Sequence, residues 1–421
     1  MKKFRKAILI FTLVFASLML IVMVFAYVAL NFYSPDTFEV EIDPAALEYY
    51  HETYTESREA FVSASLQLKT HFDSVLIFKT AVKSLTDTGL YVDYCYIPGT
   101  NNPSRLLILS SGVHGVEGFV GSAVQLMFME EFLDEELGKQ MGILFIHGLN
   151  PYGFKHYRRF TENNVDLNRN WDIDKSLFAT PNPGYFRFNT LINPQHKVNV
   201  GSPGNRFFIL KAGLMMINNT IEFARQSILQ GQYEYQDGLY FGGMDFEPQV
   251  YAVRSVLEEI CADYQIIFNI DLHTGYGKWG VLHFFPNPVK DSLSRVNVEH
   301  LFRDYRIDWG DAEKFYIITG GFPTFIGKLN PGKLFLPMTF EYGTMGSQSF
   351  LGSLKSLHIV IVENQGHIHG YEGDRDETEI IDQFNNMYFP KSKAWRTQVI
   401  NVSRETFDVL LPRFESMEFE N

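Results

Sequence analysis

What most restricts the fold of this chain is the recurrence of short apolar runs between longer segments with helical spacing. Leu106 to Ser110 and Ile143 to His147 are bounded by Gly, Pro or Asn, as buried strands are, and Ile266 to Leu272 and Leu336 to Glu341 have the same character. Between them, Gly118 to Leu133 and Gln249 to Cys261 carry helical spacing, and Ser347 to Val362 predicts a third helix. This alternation predicts an α/β fold, a mixed and mainly parallel sheet with helices on both faces. Pro44 to Asp73, with Tyr49, Tyr50, Tyr54 and Phe61 at mixed helical spacing, predicts one more helix packed on that sheet. Residues 172–246 break the pattern. They mix Asn, Gly, Pro and aromatic residues without a sustained period until about Phe207 to Gln230, which reads as helical. The expectation is a domain over 44–415, decorated by an insertion at about 172–246.

Composition narrows the function classes. With 46% hydrophobic and 20% charged residues among 421, the chain has ample apolar surface to offset its conformational entropy, which excludes a disordered or low-complexity protein. A net charge of −13 argues against a general nucleic-acid binder. Cys95 and Cys261 are too few for a disulfide scaffold or a cysteine zinc cluster. Two separate buried thiols are expected, with a single disulfide as the alternative in an oxidising compartment.

The N-terminus reads as a membrane signal. Lys2, Lys3, Arg5 and Lys6 precede Ala7 to Leu30, which holds no charge. Such a run spans about 36 Å as a helix, enough for a hydrocarbon core of about 30 Å. A cleaved signal peptide has a shorter apolar region of about 7 to 15 residues and a small-x-small site. Phe25-Ala26-Tyr27 is a poor match to that site. The expectation is a basic cytoplasmic N-terminus (1–6), an uncleaved transmembrane signal anchor (7–30) and a linker (31–43). Everything after about Asn31 would then face the periplasm, the lumen or the outside. Asn218-Asn219-Thr220 and Asn401-Val402-Ser403 fit the glycosylation acceptor pattern, a pattern that also arises by chance.

Four segments carry polar groups at strand ends. They are Ser110 to Gly118 with His114 and Glu117; Asn163 to Asn170, preceded by Arg158 and Arg159; Asn269 to Gly275 with His273; and Thr339 to Gly343 with Glu341. In an open α/β sheet, ligands bind outside the carboxyl ends of the strands, so these groups are expected to converge. His114 and Glu117, three apart in a glycine-containing turn, can point at one spot. With His273 they make a two-histidine, one-carboxylate set, the donor set of a catalytic zinc site. Glu341 is then a free carboxylate able to take a proton from water. Arg159 and Arg169 supply fixed positive charge, and Asp166 can orient a ligand imidazole. Each residue also has a plainer reading: a lone His-x-x-Glu is common, a histidine at a strand end is often core, and a strand-end glutamate is often a salt-bridge partner. His147, His156, His283, His367 and His369 are left out of the metal set as ordinary polar residues.

The ordered set, His-x-x-Glu, Asp-x-Asn-Arg-Asn, a distant His and a late Glu, resembles the zinc carboxypeptidase superfamily. That superfamily includes carboxypeptidase A-like peptidases and the succinylglutamate desuccinylase and aspartoacylase deacylases. HGVEGFVGSA and NNVDLNRNW look most like an uncharacterised branch of it, a domain of unknown function. The resemblance runs from about Leu106 to Gly346, outside the insertion. It implies one Zn2+ per chain on His114, Glu117 and His273, Glu341 as general base, and Asp166 behind His114. It also implies Asn168 and Arg169 as the pair gripping a substrate carboxylate. Arg159 is the choice for the oxyanion-stabilising arginine, with Arg158 beside it. The peptidases' substrate-capping tyrosine has no secure counterpart, Tyr276 and Tyr342 being only nearby. The implied function is a membrane-anchored zinc hydrolase cleaving a peptide or N-acyl amino acid amide bond next to a free carboxylate. The alternatives are an envelope or peptidoglycan peptide amidase and a catalytically silent binding protein that keeps the fold. Loss of a ligand or of the base would mark the silent class, and the sequence retains both.

Overall fold

The computed structural model describes residues 2–101, 103–286, 291–309 and 317–418. Seven strands form one sheet: β1 (Leu76–Ala81), β2 (Tyr91–Ile97), β3 (Arg105–Ser111), β4 (Gly142–His147), β5 (Ile266–Gly275), β6 (Leu282–Phe285) and β7 (Leu334–Gly343). Their spatial order is β1-β2-β4-β3-β5-β7-β6. The four central strands are parallel, and the pairs β1–β2, β2–β4 and β6–β7 are antiparallel. The mixed, mainly parallel sheet expected from the sequence is therefore present.

Alternation along the strands divides the core into two layers. Leu107, Leu109, Ile143, Phe145, Phe268 and Ile270 enter one layer, beneath the helices Gly118–Glu131 and Lys393–Ser416. Leu106, Ile108, Leu144, Ile146 and Ile267 enter the other, beneath Pro248–Cys261 and Phe322–Leu329. A sheet covered on both faces explains why these strands read as continuous apolar runs.

Several local features depart from the sequence expectation. The helix expected over Pro44 to Asp73 is two helices, Pro44–Glu48 and Tyr54–Leu68. Thr53 starts the second with a reciprocal capping box to Glu56, which satisfies helix-end donors where the first helix has already stopped. The helical stretch expected over Phe207 to Gln230 is likewise interrupted: Phe208–Met215 ends and Thr220 caps Ile221–Leu229. Strands β1, β2 and β6 and the long C-terminal helix are additions to the sequence reading. Cys95 and Cys261 are both buried and free.

At the N-terminus, the helix Phe4–Asn31 is long and apolar enough to cross a membrane. Residues 33–43 have no regular structure, yet they are packed on the body: Tyr33 donates to the Met345 carbonyl at 2.8 Å, and the Phe38 and Trp279 rings meet edge to face.

Candidate metal centre

The site is built at the carboxyl ends of β3 and β5. After β3, Gly112 takes a φ of +72°, a turn that any side chain would strain. His114 follows in extended conformation, and one tight turn, Gly115–Glu117, leads into the helix Gly118–Glu131. Gly115 has no room for a side chain, because a Cβ there would lie 2.1 Å from the Gly153 carbonyl carbon. That close approach lets Gly115 N and Val116 N donate to the Arg159 and Arg158 carbonyls at 3.2 and 2.9 Å. The turn carrying His114 and Glu117 is thereby bonded to the segment carrying the two arginines.

His114, Glu117 and His273 are buried, and one ligand atom from each lies within 4.8 Å of the others, a grouping able to hold a metal ion. The Nδ1 atoms of the two histidines are 3.1 Å apart, and Glu117 meets them at 2.9 and 3.0 Å. Each imidazole has a carboxylate at its far nitrogen: Asp166 lies 3.2 Å from His114 Nε2, and Asp271 lies 2.7 Å from His273 Nε2. Metal-ligating histidines characteristically have such a partner, which fixes tautomer and ring orientation. The donor set fits a zinc ion on this ground.

Electrostatics bind the cluster together. Arg159 donates to Glu117 at 2.9 Å, lies 2.7 Å from His114 Nε2 and reaches Asp166 at 3.4 Å. Burial works against charge on Asp166, but Arg169, Arg159 and His114 hold its carboxyl well below the usual range. Burial likewise opposes charge on His273, while Asp271 and Glu117 raise its pKa well above the ordinary imidazole value. Four carboxylates (Glu117, Asp166, Asp271 and Glu341) meet two guanidiniums, Arg159 and Arg169.

The remaining expected residues are placed as follows. Glu341 stands opposite His273 in the β5–β7 register, so both side chains leave the same face of the sheet. Burial, reinforced by Glu117, pushes its carboxyl up to about 8, and its Oε2 has no hydrogen-bond partner among the described residues. Asn168 turns its carbonyl oxygen to the Phe322 amide at 3.0 Å. Arg169 is 1% exposed; its Nε and Nη2 donate to the Leu229 carbonyl at 3.2 and 2.6 Å, and its Nη1 donates to the Asn168 carbonyl. Arg158 turns away from the cluster to pair with Glu363 at 2.9 Å, which leaves Arg159 as the arginine facing it. Tyr342 is bonded to Ser403, away from Glu341 on the alternate face of β7, and Tyr276 stacks edge-on with His283.

Two contributors have no role in the sequence reading. Asp271 sits two residues before His273 on one strand, and the period of two that puts both on one face is a signal that finds it. Tyr388, whose hydroxyl lies 3.4 Å from Arg159 Nη1, comes from 229 residues away, and no local pattern marks it.

Solved structures similar in shape include bovine thrombin-activatable fibrinolysis inhibitor bound to tick carboxypeptidase inhibitor, at 16% identity and a TM-score of 0.41, covering 80% of this chain and 99% of that one. The carboxypeptidase A of Helicoverpa armigera is 12% identical with a TM-score of 0.39, covering 83% and 80%. A Pseudomonas aeruginosa metallo-carboxypeptidase in complex with (2-guanidinoethylmercapto)succinic acid is 12% identical with a TM-score of 0.37, covering 75% and 71%. No curated protein matches the sequence. The sequence profile described as "Protein of unknown function (DUF2817)" matches residues 50–402, and the chain belongs to that family.

Proposed function

We propose that this chain is a membrane-anchored, zinc-dependent hydrolase that cleaves an amide bond, in a peptide or an N-acyl amino acid, next to a free carboxylate. The observation that supports it most is the convergence of His114, Glu117 and His273, with a carboxylate behind each imidazole. Zinc held by these three residues would polarise a substrate carbonyl and lower the pKa of water to about 7. Glu341 would accept the proton of the attacking water and pass it to the leaving nitrogen, so that water's hydroxyl ends on the acyl carbon and its proton on the amine. Arg159 would stabilise the developing oxyanion from its place beside His114 and Glu117. Asn168 and Arg169 would hold the substrate carboxylate, with the Leu229 carbonyl giving up its bonds to the guanidinium. The helix Phe4–Asn31 would anchor the body to the membrane.

The test is Glu341→Gln, measured on one preparation for zinc content, melting temperature and hydrolysis of free and C-terminally amidated substrates. General acid–base help is worth roughly 10²- to 10⁴-fold, so turnover should fall at least about a hundredfold. Zinc content and melting temperature should hold. Zinc loss in that variant would make Glu341 a ligand, and unchanged turnover would assign the base elsewhere. Equal activity of the unmutated protein on free and amidated substrates would remove the carboxylate from the reading.

A further inference from the structure

Over 172–246 the insertion is balanced, with six Lys or Arg and six Asp or Glu, but its charges are segregated along the sequence. From residue 175 to residue 233 it carries six Lys or Arg and one carboxylate, Glu222, in a chain of net charge −13. It also leaves apolar side chains outside. Its helices Pro183–Ile192, Phe208–Met215 and Ile221–Leu229 pack on one another, yet Phe186, Leu214, Ile217 and Ile221 are 70%, 68%, 72% and 50% exposed. Exposed basic residues are interleaved with them: Arg187 lies over the Phe223 ring at 5.2 Å and bonds Asn219, and Lys211 reaches the Thr190 carbonyl. Apolar residues scattered singly need no explanation, whereas apolar and basic residues gathered on one small group of helices have the character of an interfacial surface.

The N-terminal apolar helix ends against this same group of helices. Its Tyr27 ring lies 6.0 Å from that of Phe207, Asn31 donates to the Arg206 carbonyl at 3.0 Å, and the helix packs on Phe208–Met215. If Phe4–Asn31 spans a bilayer, the insertion sits where the span leaves the hydrocarbon. We propose that this face of the insertion rests on the membrane, with Leu214, Ile217 and Ile221 at headgroup level and Arg187, Arg206 and Lys211 against anionic lipid headgroups. The inference rests on reading Phe4–Asn31 as a membrane anchor. It makes the body a docked unit, consistent with residues 33–43 being packed and not a free tether.

The full chain, reconstituted into vesicles of phosphatidylcholine with or without phosphatidylglycerol, tests this. Cys95 and Cys261 are buried, so an environment-sensitive label on Ile217→Cys reports one site, and Leu85→Cys, 94% exposed and outside the insertion, is the control. Nitroxide lipids should quench the label at 217, more strongly with the anionic lipid, and leave the label at 85 unquenched. Lys211→Gln should lower the docked population roughly fivefold, the effect of one basic residue at an anionic surface. A chain that co-floats with vesicles while position 217 stays open to an aqueous quencher overturns the docked face alone. A chain that fails to co-float overturns the anchor and the face together. Burial of position 217 that follows protein concentration and not lipid overturns it in favour of a second copy. A glycan on Asn218 would also overturn it, because it would hold its neighbour in water.

Discussion

Among the described residues two strand ends hold a buried histidine, and one of them stands in a grouping able to hold a metal. His273, near the end of β5, has Asp271 on one ring nitrogen and Glu117 with a second histidine on the other. His147, at the end of β4, lies flat against Phe61 with centroids 4.4 Å apart, bonds Gln125 through Nδ1 and leaves Nε2 without a partner among the described residues. Burial pulls His147 down to about 3, with help from Arg58, whereas carboxylates drive His273 the opposite way. Residue type and position in the sheet are therefore shared, and the chemistry is set by what packs around the ring.

The comparison breaks most sharply on metal content. His273→Ala should reduce zinc from about one per chain to background, since three protein ligands are the minimum for a catalytic site. His147→Phe should leave zinc in place. Metal analysis of both proteins decides it, and full zinc retention without His273 would dissolve the distinction.

A smaller effect sharpens the comparison by testing the carboxylate alone. Asp271→Asn keeps the side chain's shape but weakens its hold on His273 Nε2, and should cost about 10- to 100-fold in zinc affinity. A competition titration against a chelator reads this directly. Unchanged affinity would reduce Asp271 to a packing residue bonded to Ser110.

A third effect, on stability and not on metal, is the pH slope contributed by His147. Its folded pKa is depressed to about 3, so the folded state keeps the ring neutral while the unfolded chain binds a proton below about 6.5. Stability from this group is therefore full above about 6.5 and falls with acidification between about 6.5 and about 3, by at most about 1.4 kcal/mol per pH unit. Denaturant unfolding of His147→Phe across that window should show a correspondingly shallower slope. An identical slope would place the acid sensitivity in other groups.

Much of this was legible from the chain alone, for a physical reason. Buried parallel strands advertise themselves as apolar runs, and polar residues at their ends stand out against that background. That is why His114, Glu117, Asp166, Arg159 and His273 could be named together, and the structure brings them into one network. Edge strands carry no such mark: β1 alternates between exposed and half-buried positions and reads as surface. Choosing between Arg158 and Arg159 required knowing that Glu363 lies on one side of the backbone and Glu117 on the other, 205 and 42 residues away. The position of the Arg169 guanidinium was equally hidden, because its partner is a main-chain carbonyl.

That carbonyl has a thermodynamic consequence. Two donors of Arg169 converge on Leu229 O, and a substrate carboxylate that paired with the same edge of the guanidinium, as proposed, would displace it. Molecules in which Leu229 has let go would then be the binding-competent fraction, and the measured Kd would be the intrinsic one divided by that fraction. Each 1.4 kcal/mol of preference for the closed arrangement weakens apparent affinity about tenfold. Every substrate that uses this edge of the guanidinium would be weakened by the same factor, so a looser insertion would raise affinity for all of them and leave their ranking unchanged.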